Sequence, residues 1–181
     1  MNIPLELIEK AKAGDMRAFR EIYDMTAGFV YAVSYRIMNN RMDAQEIAQD
    51  VFCKIHSSLA SYRENISFKA WIYRITVNTA INYYHKVKRR RGREIDIEEV
   101  VETAGVGPEV EKNLDKEDKE RKVQKLLSKL TPDHRAAIVL REIEGLSYEE
   151  MAQTLGININ TVRTRLKRAR TCLVRNRADS G

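Results

Sequence analysis

Apolar residues recur along this chain at intervals of three and four, and strand-like alternation is almost absent, which predicts an all-α protein. Phe19, Ile22, Tyr23, Phe29, Val30, Val33 and Ile37 keep one stripe, entered at Asp15 as N-cap after Gly14 and stopped by Asn39 and Asn40. Ile47, Val51, Ile55 and Leu59 then form an i, i+4 ridge. Asp43 and Glu46 ahead of it have capping-box spacing, with Asp43 in the cap role. Ser61 to Phe68 is polar and lacks periodicity, so it reads as a loop. Ser67 caps the next helix, with Phe68, Trp71, Ile72 and Ile75 inward and Tyr73, Arg74, Val77, Asn78, Asn82 and Lys86 outward.

The second half repeats the pattern with shorter elements. Val123, Leu126, Leu127 and Leu130 predict one buried stripe. Thr131 and Pro132 sit as N-cap and first residue of a helix packed by Ile138, Val139 and Ile143 and ended at Gly145. Ser147 and Glu150 then make a capping box, with Leu146 and Met151 as its hydrophobic staple. Gly156 stops that helix and Asn158 caps the last one, whose stripe is Val162, Leu166, Ala169 and Leu173. Two short helices about a tight turn are the pattern of a helix-turn-helix whose second helix enters the DNA major groove.

Charge sharpens that picture. Residues 159–178 hold Arg163, Arg165, Lys167, Arg168, Arg170, Arg175 and Arg177 and no acid. A merely solvated helix usually mixes signs, because opposite charges four apart support it. A second cluster, Lys86, Lys88, Arg89, Arg90, Arg91 and Arg93, ends the helix that carries Tyr83 and Tyr84. The helix dipole favours cations there, but six bases exceed that need and suit a surface that holds phosphates and stacks bases. Tyr83 and Tyr84 read equally as stacking platforms or as ordinary packing. The composition then reverses: Glu94 to Glu120 holds eleven acids against three bases, a net charge of −8, with Gly105, Gly107 and Pro108 interrupting any long helix. The predicted architecture is therefore an N-terminal helical domain over 1–93, an acidic flexible linker over 94–119 and a C-terminal helix-turn-helix domain over 120–181. The 181 residues carry a formal net charge of +6, which suits a nucleic-acid partner. No apolar run is long enough to span a membrane, and the N-terminus lacks signal-peptide character. Cys53 and Cys172, far apart in the chain and without the cluster of Cys and His that a metal site needs, fit a reducing cytoplasm and predict no metal or cofactor.

In order and spacing, GDMRAFREIYD, DAQEIAQDVFCKI and FKAWIYRITVNTAINYYHKVKRRR, followed by LSKLTPDHRAAIVLREIEGLSYEEMAQTLGI and TVRTRLKRAR, resemble bacterial RNA polymerase sigma factors of the extracytoplasmic-function group. The resemblance implies a chain that binds core RNA polymerase and directs promoter recognition and transcription initiation. It implies that Asp43, Glu46, Gln49 and Asp50 meet the β′ clamp helices, with the β flap of the polymerase as a further contact. It implies that the Ser61–Phe68 loop captures a flipped base and that Arg63, Asn65, Arg74, Asn78, Asn82, Lys86, Lys88, Arg89 and Arg90 hold the melted −10 element. Asn160, Thr161, Arg163, Thr164, Lys167 and Arg168 match positions facing the −35 duplex. With no sensory extension after Gly181, control by a separate anti-sigma factor is expected.

Rival classes make different demands. A helix-turn-helix regulator with an N-terminal dimerisation or sensor domain explains the C-terminus but not the Lys86–Arg93 cluster. An enzyme would need a nucleophile–base pair, a glycine-rich phosphate loop or a metal constellation, and the sequence offers none of these. A pure interaction protein, such as an anti-sigma mimic, is disfavoured by the basic clusters.

Overall fold

Gly14, at φ +94°, and Asp15 turn the chain between its first two helices in the computed structural model, which describes residues 3–64, 66–94 and 114–178. Helix α1 spans Leu5–Lys12 and α2 spans Met16–Met38. The Asp15 carboxylate accepts from the Arg17 and Ala18 amides at 2.8 and 3.2 Å, satisfying two of the orphan donors of a helix start. Asn39, left-handed at φ 57°, stops α2. Helix α3, Arg41–Ser58, begins two residues before Asp43. Its cap is Asn40, whose side chain accepts from the Asp43 amide at 3.1 Å. Asp43 is therefore a first-turn residue rather than the cap expected from spacing, and its carboxylate is available for other work.

Helix α4, Phe68–Glu94, opens on the Ser67 hydroxyl, which accepts from the Ala70 amide at 3.2 Å. Ile47, Val51, Ile55 and Leu59 are buried as the ridge predicts. On α4 the buried arc is wider than expected. Tyr73 and Val77, assigned outward from sequence, are buried along with Ile72, Thr76, Thr79 and Ala80, whereas Trp71 and Ile75 are half-buried. The cause is that α4 meets α2 and α3 on one side and elements of the second half on the other.

The second half comprises α5 (Leu114–Ser128), α6 (Pro132–Ile138) running into a π-helical turn at Val139–Ile143, α7 (Tyr148–Leu155) and α8 (Ile159–Ala178). Among the described residues every regular element is helical. The acidic linker, expected to be flexible from sequence, falls largely on residues 95–113, outside those described. The α5 stripe is only partly buried: Leu127 and Leu130 are in the core, but Val123 and Leu126 are 41% and 47% exposed. Ile143 is likewise 40% exposed, its core place taken by Ala136, Ala137 and Leu140. The π turn has a five-residue register that rotates Ile143 away from the face its 3.6-residue spacing implied.

The halves are not simply tethered. Their buried residues form one connected apolar core. Arg135, 6% exposed, donates from Nη1 to the Ile37 carbonyl at the end of α2 at 2.7 Å, and from Nε and Nη2 to the Leu130 carbonyl at 3.1 and 2.8 Å. Gln124 Nε2 donates to the Tyr35 carbonyl at 3.0 Å. Two further side-chain contacts cross between the halves, the ion pair Lys69–Glu144 at 3.7 Å and His85 Nε2–Asp133 Oδ2 at 3.2 Å, the second an ion pair only with the imidazole protonated.

Candidate nucleic-acid interface

The rotation of α8 is set by its apolar stripe. Val162, Leu166 and Ala169 are buried, which leaves Asn160, Thr161, Arg163, Thr164, Lys167 and Arg168 exposed on the opposite face. The Asn158 side chain opens the helix by accepting from the Asn160 amide at 2.8 Å, and Gly156 at φ +64° provides the left-handed stop of α7. Within the face, Arg163 Nη1 donates to Asn160 Oδ1 at 3.0 Å and the Thr164 hydroxyl donates to the Asn160 carbonyl at 2.9 Å. Arg163 is thus held near the N-terminal end of the helix, where a guanidinium fork can match guanine O6 and N7.

Two of the bases on α8 have another task. Arg165 pairs with Asp133 at 2.9 Å and Arg170 with Glu142 at 2.7 Å, so these bases bind α8 to α6 and its π turn. The absence of acids within α8 is compensated from neighbouring elements. The first helix of the pair is fixed by the expected capping box: Glu150 accepts from the Ser147 amide at 2.7 Å and Ser147 Oγ accepts from the Glu150 amide at 3.1 Å. These bonds lower the Glu150 pKa below its ordinary value.

Arg74, Asn78, Asn82 and Lys86 recur at four-residue intervals on α4 and form a single surface row, with Asn78 partly shielded and the others exposed. Lys88, Arg89 and Arg90 continue beyond it, and Arg63 is exposed in the loop that precedes α4. Asn65, expected in the same contact set, lies outside the described residues. The loop is anchored from beneath: Tyr62 is buried, donates its hydroxyl to the Ile66 carbonyl at 2.8 Å and packs its ring against Phe68 and Trp71 at 5.0 and 5.3 Å. Arg74 also borders a cleft between the halves, lined from the other side by Glu144, Gly145 and Glu150.

On α3, Glu46, Gln49 and Asp50 are exposed and Asp43 is partly shielded. Asp43, Glu46 and Asp50 lie at helical spacing on one side, so the structure brings them together as an acidic edge distinct from the basic row of α4. Tyr83 links the two elements, with its hydroxyl 3.1 Å from Asp43 Oδ1 and 3.0 Å from Glu46 Oε2. No sequence signal separated this role from the stacking role open to Tyr84. Arg135 carries no sequence signal either, because a single base in a short helix reads as a surface residue.

Residues 22–91 match the family described as Sigma-70 region 2, and residues 120–173 match Sigma-70, region 4. The chain is 35% identical over 170 residues to the ECF RNA polymerase sigma-E factor of Haemophilus influenzae, covering 91% of this chain and 89% of that protein. It is 35% identical over 159 residues to the ECF RNA polymerase sigma factor SigE of Mycolicibacterium smegmatis, spanning 86% of this chain but only 60% of that relative's length. Among solved structures, the sigma factor RpoE of Bartonella quintana, in complex with the anti-sigma factor NepR, is similar with a TM-score of 0.61 at 27% identity, covering 87% of this chain and 95% of that one.

Proposed function

Because this chain belongs to the extracytoplasmic-function group of the sigma-70 family of RNA polymerase sigma factors, we propose that its exposed faces divide the work of promoter recognition between them. The protein binds core RNA polymerase and directs promoter recognition and transcription initiation. In the division proposed, residues 1–93 bind polymerase and melt the −10 element, residues 94–119 link, and residues 120–181 read the −35 element. The observation that carries this is the burial of Val162, Leu166 and Ala169, which turns Asn160, Thr161, Arg163, Thr164, Lys167 and Arg168 together toward solvent. The row of Arg74, Asn78, Asn82 and Lys86, with Arg63, Asn65, Lys88, Arg89 and Arg90, holds the melted strand. The edge of Asp43, Glu46, Gln49 and Asp50 meets the polymerase clamp.

Promoter opening asks for no covalent chemistry from this chain, and its role is non-enzymatic. Unstacking a base costs a few kcal/mol, offset by capture of the exposed base and by phosphate contacts. Two weak DNA contacts on one polymerase-bound chain reinforce each other through effective concentration. A cytoplasmic site of action follows from the same role; no helix among the described residues is long and apolar enough to cross a membrane. The complex of the Bartonella quintana relative with NepR supports an anti-sigma partner for this chain too.

Run-off transcription with core polymerase over a randomised promoter library tests the proposal. The expected result is chain-dependent initiation that selects two separated sequence elements. Tight, sequence-specific duplex binding by the free chain at physiological salt, without stimulation of core polymerase, would instead favour an ordinary helix-turn-helix regulator.

A further inference from the structure

Tyr83 projects from α4 toward α3, away from the basic row, and its hydroxyl meets two carboxylates 37 and 40 residues earlier in the chain. A phenol carries one proton, so it donates to Glu46 or to Asp43 at any instant. Either way, the positive end of the O–H dipole lies between two negative charges spaced three residues apart, and it eases their repulsion. Burial first, and then the hydrogen bonds to Glu46 and Asp43, push the phenol pKa well above its ordinary value, so the hydroxyl remains a donor at physiological pH. Each carboxylate has a second oxygen through which to meet a cation.

We infer that Tyr83 is a positioning residue for polymerase binding, its hydroxyl holding Asp43 and Glu46 in one orientation on the α3 edge for a basic partner surface. The inference rests on the assignment of that edge to polymerase. Its physical basis is preorganisation: a Glu or Asp side chain already restrained in the free protein loses less rotamer freedom when the complex forms. The α4 helix therefore serves two partners. One side carries the row proposed for DNA, and Tyr83 on another side tunes the acidic edge of the neighbouring helix.

The test is equilibrium binding of the full-length chain to core polymerase, for Tyr83→Phe, for the pair Asp43→Asn with Glu46→Gln, and for the three changes combined. Phenylalanine keeps the ring and removes only the donor. Tyr83→Phe is expected to weaken binding about three- to tenfold, the size expected when one or two side chains lose their restraint, with an unchanged melting temperature. In the background of the neutralised acids the same change should cost less than about twofold. A purely structural role would lower the melting temperature and weaken binding equally in both backgrounds, which would overturn the inference. Unchanged affinity for Tyr83→Phe, with the acid variants impaired, would overturn it while leaving the α3 assignment standing. Normal binding by the acid variants and by Asp50→Lys alike would remove the α3 assignment itself, and the inference with it.

Discussion

Arg135→Ala removes a buried cation that joins the two halves of the molecule, and the size of its effect can be worked from its surroundings. The guanidinium makes three N–H···O=C bonds, one to Ile37 in the first half and two to Leu130 in the second. A hydrogen bond with one charged partner contributes about 2 kcal/mol net of desolvation, and the two bonds to Leu130 share one acceptor, so the set is worth roughly 3–4 kcal/mol. Burial opposes the charge and lowers the Arg135 pKa from 12.5 to about 10, so the guanidinium stays protonated and its bonds intact at neutral pH. The expected net loss is about 3 kcal/mol, or a melting temperature lower by about 6–12 °C for a chain of this size. Urea unfolding followed by circular dichroism measures it. Because Ile37 and Leu130 lie in different halves, the denaturant slope should also fall as the halves begin to unfold separately. Arg165→Ala is the control: it removes a more exposed ion pair to Asp133 and should cost about 1 kcal/mol or less. An Arg135→Ala loss below about 1 kcal/mol, or one equal to that of Arg165→Ala, would refute the argument that these carbonyls depend on the guanidinium.

Arg163→Ala should relax discrimination at one −35 base pair by about 1–3 kcal/mol if the fork is bidentate; equal weakening on every promoter sequence would mean that Arg163 only holds phosphate. Asp50→Lys should impair binding to core polymerase while its melting temperature stays near that of the parent, and normal binding would count against the α3 edge. Ser147→Ala should cost about 1 kcal/mol by removing half of the capping box, read as a lower urea midpoint at constant slope. His134 has its pKa lowered from 6.5, first by desolvation. The unfolded chain therefore binds this proton more readily than the folded one, and stability should fall as pH drops through 6.5 toward the folded value. His134→Gln should flatten that dependence, and an unaltered stability profile between pH 5 and 7 would contradict the desolvation argument.

Sequence was most informative where local rules act alone. The Asp15 cap, the Ser147–Glu150 box, the Gly156 stop and the stripe of α8 each depend on residues within a turn or two, so their spacing was enough. It was less informative wherever a helix meets more than one neighbour. Tyr73 and Val77 read as exposed on a one-sided stripe, whereas α4 is covered from two directions. Val123 and Leu126 looked buried because an apolar residue at helical spacing carries no mark of whether a neighbour reaches it. The cap of α3 was misplaced by three residues, since Asp43 and Asn40 are both competent caps and the left-handed turn at Asn39 favours the earlier start.

The sequence by itself determined the all-α class, the helix-turn-helix, the sign of each charged segment and the family resemblance. All of these are written in periodicity, capping and motif order along the chain. Only the tertiary structure decided that the halves share a core, that Arg165 and Arg170 serve α6 and its π turn, and that Tyr83 turns to the acids of α3. The physical reason is range. A cap or a stripe is satisfied by neighbours a few residues away, whereas a buried guanidinium or a phenol takes whichever carbonyl or carboxylate the packing of distant helices brings within 3 Å, and no local pattern records that choice.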